Sequence, residues 1–243
     1  MFTPEGRDGV RERLLEWART DDRITAAAIT GSGALGEEDG WSDIDLFFGV
    51  AGDPSEVLEA WSEQLRRTFD TVGLFDLRSG AAIYRVFLLP SGLEIDLAFT
   101  PAAEFAPTGP RFRLVFGKPV TRPTARARPP ADPSELIGLA CHHVLHARAA
   151  IERGKVWQAE HIMHALRDHI LALACLRHGL ESFFGREVDR LPAEVTAPLR
   201  AALPGTLDPP ELQRALAVAT GCLLGEIRHA DAELAARLEQ ALA

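Results

Sequence analysis

The sequence predicts an α+β protein in two parts: a small mixed-sheet domain followed by a C-terminal helical bundle. Three observations carry this. Up to residue 122, short apolar runs of strand length alternate with amphipathic helical stretches. From Ser134 onward the apolar residues recur at intervals of three and four. Between the two lies VTRPTARARPPADPSEL, so dense in Pro and Arg that helix and sheet both fail. The expected boundaries are therefore 1–122 for the sheet domain, 123–133 for a linker and 134–243 for the bundle. A chain of 243 residues with 47% hydrophobic and 25% charged residues is ordinary for a folded protein, which excludes a disordered or fibrous class.

In chain order, DGVRERLLEWART places Val10, Leu14, Leu15 and Ala18 on one helical stripe. RITAAAITG reads as a buried strand ending at Gly31, and DIDLFFGV as a second strand. PSEVLEAWSEQLRRTFD is a helix with Ser55 as its expected N-cap. Three β-like runs follow, TVGLFDLR, AAIYRVFLL and GLEIDLAF, separated by turn signals at Ser79-Gly80 and Pro90-Ser91-Gly92. In the second half, SELIGLACHHVLHARAAIERG and KVWQAEHIMHALRDHILALACLRHGL are helices stopped by Gly154 and Gly179. PAEVTAPLRAAL and a long terminal helix, broken near Gly225 or Ala230, complete a bundle of four or five.

The chemistry concentrates in GSGALGEEDGWSDIDLFF, residues 31–48. Residues two apart in a strand share a face, so Asp43 and Asp45 project together while Ile44, Leu46 and Phe48 enter the core. GLEIDLAF repeats the pattern, with Glu94 and Asp96 on one face and Leu93, Ile95 and Leu97 on the other. Like charges so placed raise one another's pKa or share a cation, and oxygen donors suit a hard ion such as Mg²⁺. If the two strands are neighbours, the acids form one cluster suited to two-metal chemistry. Gly31-Ser32 ends the preceding strand, where a small residue lets backbone N–H groups and the Ser32 hydroxyl approach a phosphate.

This combination resembles the signature of the polymerase-beta-like nucleotidyltransferases: an apolar strand, Gly-Ser, a spacer, then Asp-apolar-Asp-apolar, here Gly31-Ser32 through Asp43-Ile44-Asp45-Leu46. Asp96 matches the family's third carboxylate. A small catalytic domain followed by a helical bundle is similar to the aminoglycoside and lincosamide nucleotidyltransferases. The resemblance implies a Mg²⁺-dependent adenylyltransferase, and the lack of a leader pattern or an apolar run of membrane-span length leads us to expect it in the cytoplasm. Asp43, Asp45 and Asp96 would hold the metal, and Gly31 and Ser32 the phosphates of ATP or another nucleoside triphosphate. The acceptor would be a hydroxyl of a small molecule such as an aminoglycoside-like antibiotic. Glu94 and Glu160 are the candidates for a general base, and Asp168 for contact with a cationic substrate. An alternative within the same resemblance is an antitoxin-like or regulatory enzyme that modifies or binds a protein. The sequence departs from the family at Ala34, Leu35 and Gly36, where many members carry an Arg.

A net charge of −9 argues against nucleic acid as a partner and favours cationic small molecules. No apolar run reaches membrane-span length, and the first residues lack the pattern of a secretory leader. A homodimer is left open. Cys141, Cys175 and Cys222 read as reduced thiols. The pairs His142/His146 and His161/His164 read as polar bundle residues rather than a metal cage. Arg85 and Arg111 read as surface residues of the sheet.

Overall fold

The computed structural model describes residues 1–121 and 131–242. The chain divides into two compact units, Met1–Arg128 and Pro129–Ala243. The Pro- and Arg-rich stretch expected at 123–133 falls at this division, and its residues 123–130 lie outside the described residues.

Unit 1 begins with α1 (Pro4–Thr20), whose cap is Thr3: its side chain accepts from the Gly6 N–H, with Pro4 in the first turn. The helix thus starts before the apolar periodicity does, because its cap rather than its buried stripe sets the end. There follow β1 (Ile24–Thr30), the short α2 (Gly31–Leu35), β2 (Ile44–Val50), α3 (Pro54–Phe69), β3 (Val72–Ser79), β4 (Ala82–Leu88), β5 (Glu94–Pro101) and β6 (Phe112–Phe116). The cap of α3 is Asp53, which accepts from the Ser55 N–H, and not Ser55 itself. Pro54, with no N–H and a helix-compatible φ, occupies the first turn and leaves the cap to the residue before it.

The six strands form one mixed sheet in the order β3-β4-β5-β2-β1-β6. Among the described residues β2 and β5 pair in parallel and the other four strand pairs are antiparallel. β6 had no counterpart in the sequence reading. It is a five-residue edge strand without a fully buried residue, and so carries little periodic signal.

One face of the sheet holds the main core. Ile44, Leu46 and Phe48 of β2 and Ile95, Leu97 and Phe99 of β5 pack with Leu14 and Ala18 of α1 and Val57, Leu58, Trp61 and Leu65 of α3. The Trp61 ring lies 5.0 Å from that of Phe48 and 5.5 Å from that of Phe99, while its indole N–H donates to Asp21 at 2.9 Å. The other face carries a smaller cluster of Ala26, Ala28, Phe47, Ala98 and Phe105. This is the face on which the acids stand.

Unit 2 contains α4 (Pro133–Glu152), α5 (Val156–His178), α6 (Ala193–Ala201), α7 (Pro209–Ala230) and α8 (Ala232–Leu242), wrapped around a core that includes Val144, Met163, Leu166, Ile170, Leu216 and Leu223. Asp132 caps α4 by accepting from the Ser134 N–H. The long terminal helix breaks after Ala230, and Gly225 lies within α7. Asp231, in an extended conformation, ends α7 and accepts from the Leu234 N–H to start α8. Among the described residues no helix is long and apolar enough to cross a membrane.

Candidate active site

Because β2 and β5 run parallel, equivalent positions fall side by side: Ile44 pairs with Ile95, Asp45 with Asp96 and Leu46 with Leu97. Alternation then sends the leucines and isoleucines to the helix-covered face and both carboxylates to the other. Asp43 immediately precedes β2, stands on the same side and is close enough to Asp45 to raise its pKa. Glu94 opens β5, exposed, and its charge acts on both Asp45 and Asp96. The structure therefore brings together Asp43, Asp45, Glu94 and Asp96.

Gly31 explains itself in this setting. It follows β1 with φ 61°, and a Cβ there would stand 1.9 Å from Asp45 Oδ2. Only glycine both adopts the left-handed conformation cheaply and leaves room for the carboxylate. Ser32, half-buried, is the second residue of the one-turn α2, and its carbonyl accepts from the N–H groups of Gly36 and Glu37.

The segment between α2 and β2 is held by α1. Arg7 is only 4% exposed; its Nη1 donates to the carbonyl of Asp39 at 2.6 Å, and Arg11 pairs with Glu38. Asp39 accepts from the Trp41 N–H at 2.8 Å and the Ser42 hydroxyl at 3.0 Å, closing a turn directly before Asp43. From β6, Arg113 donates to the Gly33 carbonyl at 3.0 Å. Sequence reasoning missed these supports. One signal existed: Arg7 and Arg11 share the helical stripe of Leu14 and Ala18, and a charge on an apolar stripe needs a partner.

Burial and the adjacent carboxylates push Asp45 up to about 7 and Asp96 up to about 6. Asp96 Oδ1 is buried with no hydrogen-bond partner, a costly arrangement for a carboxylate unless another group engages it. The donor set is all oxygen and negatively charged, which fits a hard divalent cation such as Mg²⁺. Among the described residues no group of three or more His, Cys, Asp or Glu side chains is placed to hold a metal ion by itself. Mg²⁺ takes one or two carboxylates and completes its shell with water and substrate phosphates. Because protons compete for Asp45 and Asp96 up to about pH 7 and 6, Mg²⁺ affinity should rise with pH. Titration calorimetry should show a gain of at least about tenfold between about pH 5.5 and 7.5; a flat profile would remove the ion from these acids.

Beside the cluster, Phe2, Trp41, Asp43, Pro90, Gly92 and Glu94 line an open hollow of about 510 Å³. Trp41 is 75% exposed at its rim, free of a packing role.

The remaining candidates belong to other elements. Glu160 lies on α5 in unit 2, where it accepts from the buried Arg167 at 2.9 Å, so one of its oxygens is committed to an ion pair. Asp168 stands 3.5 Å from His164. The rings of His142 and His146 are 4.0 Å apart and those of His143 and His169 stack at 5.1 Å. Arg85 is taken up by Asp76 and Glu59, and Arg111 lies 3.8 Å from Glu37. Cys141, Cys175 and Cys222 are free thiols, Cys175 fully buried.

No family model matches the chain, and no curated protein matches it either. Among solved structures, it is similar to an aminoglycoside 6-adenyltransferase from Bacillus subtilis, at 14% identity and a TM-score of 0.37, over 93% of this chain and 89% of that one. A likeness at this level leaves function to be argued from the site itself.

Proposed function

We propose that the chain is a Mg²⁺-dependent nucleotidyltransferase that passes a nucleoside monophosphate from a triphosphate, ATP by preference, to a hydroxyl of a small molecule. The observation that supports it best is the in-register pair Asp45–Asp96 with the unpartnered Asp96 Oδ1, seated against Gly31.

In this reading Asp43, Asp45 and Asp96 would hold the metal. A bound divalent cation supplies neutralising charge for the triphosphate and for the charge that develops on the reacting phosphoryl group. Gly31 and Ser32 present backbone N–H groups and a hydroxyl to the phosphates. The acceptor hydroxyl attacks the α-phosphorus; a P–O bond to the acceptor forms, the α–β bridging bond breaks, and pyrophosphate leaves with the electron pair. Glu94, exposed beside the cluster, takes the hydroxyl proton. It is preferred to Glu160, one of whose oxygens already accepts from Arg167. The net charge of −9 supports a cationic acceptor of the aminoglycoside type.

The experiment is pyrophosphate release from ATP and Mg²⁺ across a panel of hydroxyl-bearing antibiotics, run beside Asp96→Asn. Turnover with at least one acceptor, lost in the variant, is the expected result. Absence of both turnover and Mg-ATP binding overturns the reading.

A further inference from the structure

Strand β3 is the edge of the sheet, paired with β4 on one side only. All eight of its residues are exposed, among them Val72 at 62%, Phe75 at 52% and Leu77 at 59%. An edge strand so rich in exposed apolar side chains is a template for pairing unless something covers it. We propose that a second copy of this chain covers it: two β3 strands pair antiparallel about a twofold axis and join the sheets of both copies.

The register follows from hydrogen bonding and charge. Ser79 and Ala82 flank a two-residue turn, Gly80-Ala81, and are partners in the ladder, which makes them a hydrogen-bonded pair. Counting back along β3, Leu77 and Phe75 also bond inward to β4, while Asp76 and Arg78 direct their backbone N–H and C=O groups outward. A twofold pairing can therefore bring Asp76 opposite Asp76, Arg78 opposite Arg78, or Asp76 opposite Arg78. The first two oppose like charges. The third exchanges four backbone hydrogen bonds and places Asp76 against Arg78 of the other copy twice over, on the face where Asp76 already accepts from Arg85 at 2.6 Å. It also sets Leu77 against Leu77 on the axis and Phe75 against Ser79. The irregularity between Gly73 and Phe75 limits the ladder to residues 75–79. Interfaces with twofold symmetry are isologous, and this five-residue segment is self-complementary in that sense.

Sedimentation equilibrium of the full chain should give twice the monomer mass. In the proposed register Leu77 faces its symmetry mate as a non-hydrogen-bonded pair, with Cα atoms about 4.5 Å apart, inside the roughly 4.4–6.8 Å span of a disulfide. Leu77→Cys should therefore crosslink under mild oxidation, whereas Val72→Cys, outside the ladder, and the unaltered chain should not. Arg78→Asp opposes four acids across the axis and should weaken the dimer at least about tenfold, with an unchanged melting temperature of the dilute monomer as its folding control. A chain that sediments as a monomer overturns the proposal, including the case in which a different protein adds a strand to β3. So does a dimer that survives Arg78→Asp and leaves Leu77→Cys uncrosslinked.

Discussion

Replacing Asp45 by Asn should abolish nucleotidyl transfer and at the same time make the metal-free protein more stable. The two effects have one cause. Asp45 is held at about 7 by burial and by Asp43 and Asp96, against an ordinary 3.8, so the folded chain resists its ionisation. A raised carboxylate pKa means that the folded state binds the extra proton between those values. Its destabilising contribution is absent below about pH 4, grows through pH 4–7 and is complete above pH 7. Asparagine keeps the shape without the charge. Thermal unfolding without metal at about pH 8 should show Asp45→Asn more stable by about 1–2 kcal/mol, allowing for solvent screening of a half-buried group, and the gain should vanish near pH 4. Single-turnover transfer should fall by about 10³-fold or more, the scale of losing a group aimed at transition-state charge. A variant that is inactive and equally destabilised would instead mark Asp45 as structural.

Gly31→Ala should be nearly as damaging, for a steric reason. The new methyl would overlap the Asp45 carboxylate, 1.9 Å from Oδ2, and the residue would be strained at φ 61°. Strain alone costs about 1–2 kcal/mol, and the carboxylate must leave its place beside Asp96. Gly36 provides the comparison: its φ is 71°, but nothing lies within 4 Å of a Cβ there. Gly36→Ala should therefore pay the backbone strain and keep activity, while Gly31→Ala loses transfer by about 10²-fold or more, as misplaced catalytic groups do. Equal activity losses in the two variants would refute the seating of Asp45 on Gly31.

What the sequence made legible was whatever alternates or recurs. The period-two pattern of DIDLFF and LEIDLAF identified both strands and the side their acids occupy; the core positions of Ile44, Leu46, Ile95 and Leu97, all 0–1% exposed, follow that pattern. What it left open was set by partners distant in the chain. Nothing local to α1 tells that Arg7 reaches the Asp39 carbonyl, and nothing in the helical pattern of α5 tells that Arg167, seven residues on, engages one oxygen of Glu160. The α3 cap shifted from Ser55 to Asp53 because two good capping residues flank one Pro, and the proline decides. β6 was hidden by its shortness and exposure.

The parallel pairing of β2 with β5 also dictates when the acids meet. Parallel neighbours cannot be joined by a tight turn; here the crossover contains α3 and the β3–β4 hairpin. During synthesis and early folding, Asp45 and Asp96 therefore remain apart in water, each ionised at no cost. Their mutual repulsion enters only when β5 docks beside β2. The electrostatic burden of the site thus falls on the non-local pairing of β5 with β2, and magnesium in the refolding buffer should speed that pairing while leaving helix formation untouched.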